Sequence, residues 1–366
     1  MKKIVITGGA GFIGTNLCLS AVKQGYQVVI FDNLSRPGTA LSLEQLKTNE
    51  RISFVKGDVQ DALAVYHLLR QHADTAAVFH LAGQVAVTTS VTDPRQDFYS
   101  NAVGSFNVLE AARLLALDVP ILYASTNKVY GHLPDVNIIE HNTHYSLADY
   151  PHGIAEEFPV HFHSPYGCSK GAGDQYFLDY ARIYGLKTIV FRQSCIYGPH
   201  QLGLEDQGWV AWFTLCALNK LPLTVYGDGK QLRDVLYVDD LIEAYWRAVD
   251  NIHITAGQVY NIGGGFYRLS LLELINLLQE QLSAKLIHSF QPARPGDQRV
   301  FVSNIAKARR DLAWQPVTAP PLGVAKLAAW LKNNREIFIK AGIINEDLPH
   351  SRLGERLVSQ KRAVSI

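Results

Sequence analysis

Residues 3–14 read KIVITGGAGFIG, an apolar β-branched run followed by a glycine-rich turn and an amphipathic stretch. This pattern predicts a strand, a tight turn and a helix. Gly8 and Gly11 allow the turn and a close approach of backbone to a pyrophosphate, and Gly14 lets the helix pack closely on the strand. The helix N-terminus adds unpaired N–H groups. We therefore predict a dinucleotide contact at Gly8, Gly11, Phe12 and Ile13.

The next predicted strand, QVVIFD, ends in Asp32 at the distance expected for the acid of a dinucleotide site. A carboxylate there accepts hydrogen bonds from ribose hydroxyls and repels a 2′-phosphate, which favours NAD over NADP. Arg36 nearby keeps NADP open as an alternative. Further predicted cofactor contacts lie at or beside the ends of the following strands: Asn33, Asp58, Val59 and Ala82.

The first half of the chain alternates short apolar runs with longer amphipathic stretches, and this rhythm is typical of repeated βα units. We expect an α/β protein with a Rossmann-type, doubly wound parallel sheet and a smaller C-terminal α/β domain. The dinucleotide-binding domain is predicted to comprise residues 1–194 and 235–262. The smaller domain is predicted to comprise residues 195–234 and 263–344, and residues 345–366 form a peripheral tail.

The composition excludes several classes of protein. The 366 residues are 48% apolar and 18% charged, as in an ordinary globular protein, and exceed one domain of about 150 residues. The net charge of +1 and the lack of a basic block argue against nucleic acid or anionic membranes as partners. Glycines interrupt the N-terminal apolar run, so it resembles neither a signal peptide nor a membrane span. We expect a cytoplasmic protein whose four scattered cysteines are reduced.

Tyr166 and Lys170, in the segment YGCSK, lie four residues apart at the start of a predicted helix and so share one face. A lysine ammonium in that position is predicted to lower the pKa of the tyrosine phenol from about 10 toward neutrality. The phenolate would then act as a general base for a hydroxyl. Thr126, at the end of the predicted strand PILYAST, is placed to hydrogen-bond the same substrate oxygen.

These segments together resemble the extended short-chain dehydrogenase/reductases that act on nucleotide sugars. The resemblance covers roughly residues 1 to 330 and rests on the strand-end Asp32 and on segments that occur in family order: TGGAGFIG, STNKVYG, YGCSK, FRQSCIYGP, RDVLYVDD, YNIGG and RPGDQRVF. It implies Thr126, Tyr166 and Lys170 as the catalytic residues, the last two also touching NAD. The substrate contacts expected from it are Thr126, Asn127, Gln201, Arg233 and Arg294, the two arginines on the diphosphate.

Within this family the chain most resembles epimerases that invert C2 of a CDP-linked hexose of the CDP-paratose and CDP-tyvelose type. The resemblance implies an isomerase in which Tyr166 removes a hydroxyl proton, a keto sugar forms transiently, and hydride returns to its other face. The motifs alone leave C4 epimerisation of a UDP-, GDP- or CDP-hexose open, and, as lesser alternatives, 4,6-dehydration or NAD binding without catalysis. The family also implies a homodimer or homotetramer.

Two departures from the family pattern bear on the reaction. Nucleotide-sugar dehydratases have an Asp-Glu pair straight after the catalytic threonine, where this chain has Asn127 and Lys128. Without those carboxylates, elimination of water lacks its acid and base. Many relatives also have Asn where this chain has Cys195, which we interpret as a thiol lining the site. The histidines near Gly131 follow no metal-ligand spacing, so no metal is predicted.

Overall fold

The structure is a computed structural model that describes residues 2–283, 285–294 and 296–344. Its strands are β1 Lys3–Thr7, β2 Gln27–Asp32, β3 Ile52–Lys56, β4 Ala77–His80, β5 Ile121–Thr126, β6 Ile138–Glu140, β7 Tyr145–Leu147, β8 Thr188–Gln193, β9 Cys195–Tyr197, β10 Leu223–Tyr226, β11 Leu232–Tyr237, β12 Gln258–Ile262, β13 Arg268–Ser270, β14 His288–Gln291 and β15 Val300–Phe301.

The helices are α1 Phe12–Lys23, α2 Thr39–Leu46, α3 Ala62–Gln71, α4 Val87–Thr92, α5 Pro94–Phe98, α6 Gly104–Leu114, α7 Pro165–Tyr184, α8 Trp209–Asn219, α9 Val238–Asp250, α10 Ile252–Thr255, α11 Leu271–Leu282, α12 Ala306–Leu312, α13 Pro320–Asn333 and α14 Arg335–Lys340. A π-helical turn, Tyr99–Val103, precedes α6, and a 3₁₀ turn, Asn127–Tyr130, follows β5. Within the described residues no helix is long and apolar enough to cross a membrane.

Seven strands form one parallel sheet in the order β12-β8-β5-β4-β1-β2-β3. From β1 the chain first builds outward through β2 and β3 and then returns to the other side of β1 with β4. The sheet is therefore doubly wound, as predicted, and its order reverses between β1 and β4. In such sheets a crevice opens at this reversal, outside the carboxyl ends of the strands.

Both faces of the sheet are buried, which explains the nearly continuous apolar character of its strands. In β1, Ile4 and Ile6 point into one apolar cluster, while Val5 points into a second cluster on the opposite face. All three side chains are fully buried. Alternate residues of β2 divide in the same way, with Ile30 on one face and Phe31 on the other. Helices on both sides therefore hold the sheet rigid behind the crevice.

A third apolar cluster lies in the C-terminal part of the chain, where α8, α11 and α13 pack around β10 and β11. Strand β11 pairs with β9, β13 and β15, and β10 pairs with β14. Val225 of β10 and Leu274 of α11 are fully buried in this cluster. Because β9 follows directly after β8 of the large sheet, this cluster lies beside the crevice at the carboxyl ends.

Candidate active site

A cavity of about 800 Å³ opens at the carboxyl ends of β1, β2, β4 and β5. Its size suits a ligand as large as a dinucleotide or nucleotide sugar. The residues predicted from the sequence all line it: Gly8, Gly11, Phe12, Ile13, Asp32, Asn33, Asp58, Val59, Ala82, Thr126, Asn127, Tyr166, Lys170, Gln201, Arg233 and Arg294. The structure thus brings together both predicted groups, one from the N-terminal strand ends and one from the C-terminal segments.

The turn after β1 has the close backbone packing that a dinucleotide cradle requires. Gly8 has φ +72°, and a Cβ there would lie 2.6 Å from the backbone nitrogen of Ala82. A Cβ on Gly14 would lie 2.3 Å from the carbonyl oxygen of Gly8. Both positions therefore require glycine. The N-terminus of α1 consequently opens on the cavity without side chains in front of it, and the residues present fit a dinucleotide.

Asp32 is held in place by the backbone at the end of β2. Its carboxylate accepts hydrogen bonds from the backbone N–H groups of Ala10 at 3.1 Å and Leu34 at 2.8 Å. Burial raises the pKa of this carboxyl, and the two N–H groups oppose the rise. Asn33 donates to Asp58 at 2.7 Å, which ties together the ends of β2 and β3. Arg36 also lines the cavity, but its guanidinium donates to Gln207 at 2.6 Å.

Thr126 and Tyr166 lie next to each other where they line the cavity. Thr126 ends β5, and Tyr166 lies in the first turn of α7, where Ser164 caps the helix by accepting from the N–H of Gly167. Thr126 is 6% and Tyr166 8% exposed, so both side chains are largely buried although they line the cavity. Burial raises the pKa of the Tyr166 phenol to about 12, and a hydrogen bond with the Thr126 side chain opposes the rise.

Lys170 lies one turn farther along α7 and is buried. Its Nζ is 4.2 Å from the ring centroid of Tyr123, over the aromatic face. Burial lowers the pKa of Lys170 to about 7, opposed by the carboxylates of Asp97 and Asp174. Of the charges near Tyr166, Asp97 raises the phenol pKa and Arg36 lowers it. Burial therefore dominates the pKa of the Tyr166 phenol, and the lowering of that pKa by Lys170 stays a prediction.

A buried polar network behind Lys170 was not predicted from the sequence. Ser169 donates to Asp97 at 2.5 Å, and Asn101 donates to the same carboxylate at 3.1 Å. Asp97 is fully buried, and its pKa is raised by burial. The four-residue spacing of Asp97 and Asn101 on one helical face was a possible signal, but it is also typical of a solvated face. Only the packing of α5 against α7 distinguishes a buried network from a solvated helix face.

The predicted substrate-side arginines form another part of the cavity wall. Arg233 donates from Nη1 to the carbonyl oxygen of Leu232 at 2.8 Å and from Nη2 to Asp297 at 2.7 Å and to the carbonyl oxygen of Gln298. Arg294 lies with its Cζ 3.8 Å from the centroid of the Tyr226 ring and donates to the carbonyl oxygen of Glu205 at 3.0 Å.

Two amides complete this wall. Gln201 donates to the carbonyl oxygen of Ile196 at 3.2 Å, and its buried Oε1 has no hydrogen bond to the rest of the described chain. Asn127 donates to Gln298 at 3.4 Å. An acceptor buried at the cavity wall without a partner is costly in the protein alone, so Gln201 is suited to receive a donor from a ligand.

Cys195 lines the cavity, as predicted, and accepts a hydrogen bond from the indole N–H of Trp209 at 3.5 Å. Burial raises the pKa of its thiol. Trp209 also faces the cavity, whereas Trp212 is 9% exposed and packs in the third apolar cluster. In residues 2–283, 285–294 and 296–344, no group of three or more His, Cys, Asp or Glu side chains could hold a metal ion.

Comparison with known proteins gives consistent matches along the chain. Residues 4–263 match the model of the NAD dependent epimerase/dehydratase family. The chain is 45% identical over 335 residues to CDP-paratose 2-epimerase from Salmonella typhi, which covers 90% of this chain and 98% of that protein. It is 33% identical to UDP-glucose 4-epimerase from Mycolicibacterium smegmatis, over 91% of this chain and 100% of that protein.

The fold agrees with solved structures as well. The crystal structure of UDP-glucuronic acid 4-epimerase from Bacillus cereus, in complex with UDP-glucuronic acid and NAD, superposes with a TM-score of 0.79. The match is 28% identical and covers 90% of this chain and 99% of that one. These likenesses confirm the resemblance to extended short-chain dehydrogenase/reductases drawn from the motifs. The chain belongs to the NAD-dependent epimerase/dehydratase family.

Proposed function

We propose that this chain is an NAD-dependent epimerase that inverts C2 of a CDP-linked hexose of the CDP-paratose type. The observation that carries the proposal is the 45% identity to CDP-paratose 2-epimerase over nearly the full length of that protein. The cavity supports it, because a glycine cradle, a buried tyrosine–threonine pair and an arginine-lined wall face one another across one space. These are the elements that oxidation and re-reduction of a nucleotide-linked hydroxyl require.

Each group of residues in the cavity has a separate role in the proposed reaction. Gly8, Gly11 and Asp32 would hold the cofactor, and NAD, when bound, supplies the acceptance and return of hydride. Tyr166, as its phenolate, would take the proton of the sugar hydroxyl and later give it back, while Thr126 holds the same oxygen in line. Lowering the phenol pKa far enough to form this phenolate is the role proposed for Lys170. Because both side chains are largely buried and a bound sugar would cover their hydroxyls, the proton is expected to pass directly between the sugar oxygen and the tyrosine.

Dehydration is disfavoured by the residues after Thr126. Asn127 and Lys128 line the cavity where an acid and a base would be needed. A nearby carboxylate, Asp297, lies 2.7 Å from Arg233 Nη2. Although burial opposes it, Arg233 and Lys128 hold the pKa of this carboxyl below its usual value. A carboxylate that stays ionised cannot protonate a leaving hydroxyl.

The proposal is tested by incubating the NAD-loaded protein with CDP-, UDP- and GDP-hexoses in deuterium oxide and in water, followed by NMR of the products. Inversion at C2 without uptake of deuterium from solvent is the expected result. Inversion at C4 of any sugar would replace the C2 assignment by C4 epimerisation. Loss of water would overturn the argument from Asn127 and Lys128, and NAD binding without conversion of any sugar would favour a non-catalytic role.

We further propose that Asp32 selects NAD over NADP. Replacing Asp32 with asparagine removes the charge that opposes a 2′-phosphate and weakens the acceptor for the ribose hydroxyls. The expected result is an NAD affinity lower by about tenfold to a hundredfold, as for the loss of a charged hydrogen bond, with a smaller change for NADP. The ratio of the two affinities, measured by fluorescence titration, reports selection independently of any change in folded fraction. An unchanged ratio would contradict the role of Asp32.

The proposed assembly is a homodimer formed through α6 and α7, or a homotetramer made of two such dimers. These helices present large apolar side chains to solvent, among them Phe106, Leu114, Tyr176 and Ile183, which are 39%, 61%, 46% and 60% exposed. A patch of this kind on two adjacent helices suits a second copy related by a twofold axis, as the family resemblance implies.

Replacing Ile183 with glutamate is expected to reduce the assembly to monomers, because the patch would have to bury a charge in each copy. Light scattering after size-exclusion chromatography measures the mass directly. The matched control is the substitution of Leu322 with glutamate, since Leu322 is 53% exposed on α13, away from this patch. A mass unaffected by the Ile183 substitution would exclude α7 from the interface.

The division into domains at residues 194, 235 and 262 remains our proposal, supported by the third apolar cluster around β10 and β11. The predicted tail, 345–366, lies outside the described residues. We propose the cytoplasm as the compartment, because Cys18, Cys168, Cys195 and Cys216 are all free thiols, as is usual in a reducing environment.

A further inference from the structure

Lys128 lies where the dehydratases have the second residue of their acidic pair, and the proposed function gives it no role of its own. It lies in the 3₁₀ turn directly after β5, two residues beyond Thr126, and it lines the cavity. Its backbone N–H donates to the Thr126 hydroxyl at 3.3 Å. A Cβ on Gly167 would lie 3.1 Å from the Lys128 carbonyl oxygen, so the turn also packs against the start of α7. Lys128 is thus fixed to both elements that carry the reacting hydroxyls.

The Lys128 side chain is only 18% exposed, and its Nζ lies 3.9 Å from Asp297 Oδ1, beyond hydrogen-bond distance. Asp297 Oδ1 instead accepts from Arg233 at 2.7 Å. Two cations therefore share one carboxylate, which leaves one net positive charge on this part of the wall. A buried charge without a hydrogen-bond partner is costly, so the site is suited to an anion.

Arg233, one of the two arginines predicted to bind the diphosphate, has many of its donors engaged within the protein. Nη1 donates to the Leu232 carbonyl oxygen, and Nη2 donates to Asp297 and to the Gln298 carbonyl oxygen. Its side chain is 8% exposed. The ammonium of Lys128, by contrast, makes no hydrogen bond to the described residues. Of the two cations, Lys128 therefore has the greater capacity to donate to a phosphate oxygen.

The covalent structure of a nucleotide sugar requires a phosphate oxygen close to the reacting residues, and so near Lys128, if C2 is the reacting carbon. In a nucleotide sugar the terminal phosphate is attached at C1, which is bonded directly to C2, whereas C4 lies three bonds away. When the C2 hydroxyl meets Tyr166 and Thr126, the glycosyl phosphate must lie beside them. We propose, on the basis of the proposed function, that Lys128 binds this phosphate and so determines that C2 is presented to Tyr166.

If Lys128 binds the phosphate, the affinity for that phosphate depends on the protonation of Lys128 and therefore on pH. Burial and the Arg233 charge lower its pKa to about 8, opposed by Asp297. The groups that face it from neighbouring elements are Arg233, Asp297, Cys195 and His132. Arginine stays charged, the pKa values of Asp297 and His132 are lowered, and that of Cys195 is raised. A terminal phosphate loses its last proton near pH ~6. Lys128 is therefore the group that changes charge on this wall between pH 7 and 9.

The test uses calorimetric titration of the NAD-loaded protein with CDP, and with CMP, which lacks the terminal phosphate. Lys128→Met is expected to weaken CDP binding about tenfold to a hundredfold at pH 7, as for the loss of a charged hydrogen bond, and to leave CMP and NAD binding unchanged. Lys128→Arg is expected to retain CDP binding. The control, Lys230→Met, removes a lysine that pairs with Glu140 outside the cavity and is expected to change neither affinity.

Between pH 7 and 9 the wild-type affinity for CDP is expected to fall about tenfold as free Lys128 loses its proton, whereas Lys128→Arg keeps its affinity. Equal losses for CDP and CMP in Lys128→Met, or no loss for CDP, would overturn the phosphate contact. Because binding is measured without turnover, the result is independent of the C2 assignment. The two proposals can fail separately. If the wild-type protein inverts C4, the proposed function and the selection of C2 by Lys128 are both refuted. The phosphate contact would still be supported if CDP binding depends on Lys128.

Discussion

Replacing Tyr166 with phenylalanine is expected to lower kcat by about a thousandfold, within the range that a positioned general acid–base contributes. Phenylalanine keeps the ring that α7 buries and removes only the oxygen that exchanges a proton with the sugar hydroxyl. The fold and the glycine cradle are therefore unaffected, and NAD affinity is expected to fall by less than about tenfold, since only the contact made by the Tyr166 hydroxyl is lost. Single-turnover conversion of the sugar identified by NMR measures the loss, and fluorescence titration measures NAD binding.

The matched control is Tyr176→Phe. Tyr176 lies almost three turns farther along the same helix, is 46% exposed and lies outside the cavity. Activity equal to wild type is expected there. If Tyr166→Phe retained more than about a tenth of the wild-type rate, proton transfer by Tyr166 would be excluded, since loss of general catalysis costs at least about a hundredfold.

The elements that hold this tyrosine could be predicted from the sequence because they depend on local patterns. Three features depend only on residues within a few positions of one another: the glycine turn, the strand end at Asp32 and the start of α7 at Pro165. Parallel βα topology then brings the carboxyl ends of the strands to one edge. That is why the structure brings together Thr126 and Tyr166, forty residues apart in the chain, as the sequence predicted.

The electrostatics of the site could not be predicted in the same way. The spacing of Tyr166 and Lys170 correctly gives a shared helix face, but the direction of the ammonium depends on Tyr123, a residue of β5. The phenol pKa depends on burial, which is a property of the whole packed cavity. Asp97, likewise, becomes a buried acceptor only because α5 packs against α7. Such long-range contacts leave no local pattern in the chain.

The second large effect is expected from the buried ion pair behind the reacting residues. Arg192 of β8 donates to both oxygens of Asp174 on α7, at 3.0 Å and 2.9 Å, and the Ser125 hydroxyl donates to Asp174 at 2.7 Å. The two charged side chains are 4% and 0% exposed. Replacing Arg192 with methionine leaves the carboxylate buried without its cation and is expected to lower the free energy of unfolding by about 3–5 kcal/mol.

Denaturant unfolding of the NAD-free protein, followed by circular dichroism, measures this loss. The control is Asp179→Ala, which breaks the exposed pair with Arg182 on the same helix and is expected to cost less than about 1 kcal/mol. The double substitution Arg192→Met with Asp174→Leu is expected to recover much of the stability, since it removes both buried charges. A loss in Arg192→Met no larger than that in Asp179→Ala would contradict the burial of the pair. Because Ser125 precedes Thr126 and Asp174 lies one turn beyond Lys170, this pair joins β5 to α7 at the point where the strand and the helix present the reacting residues.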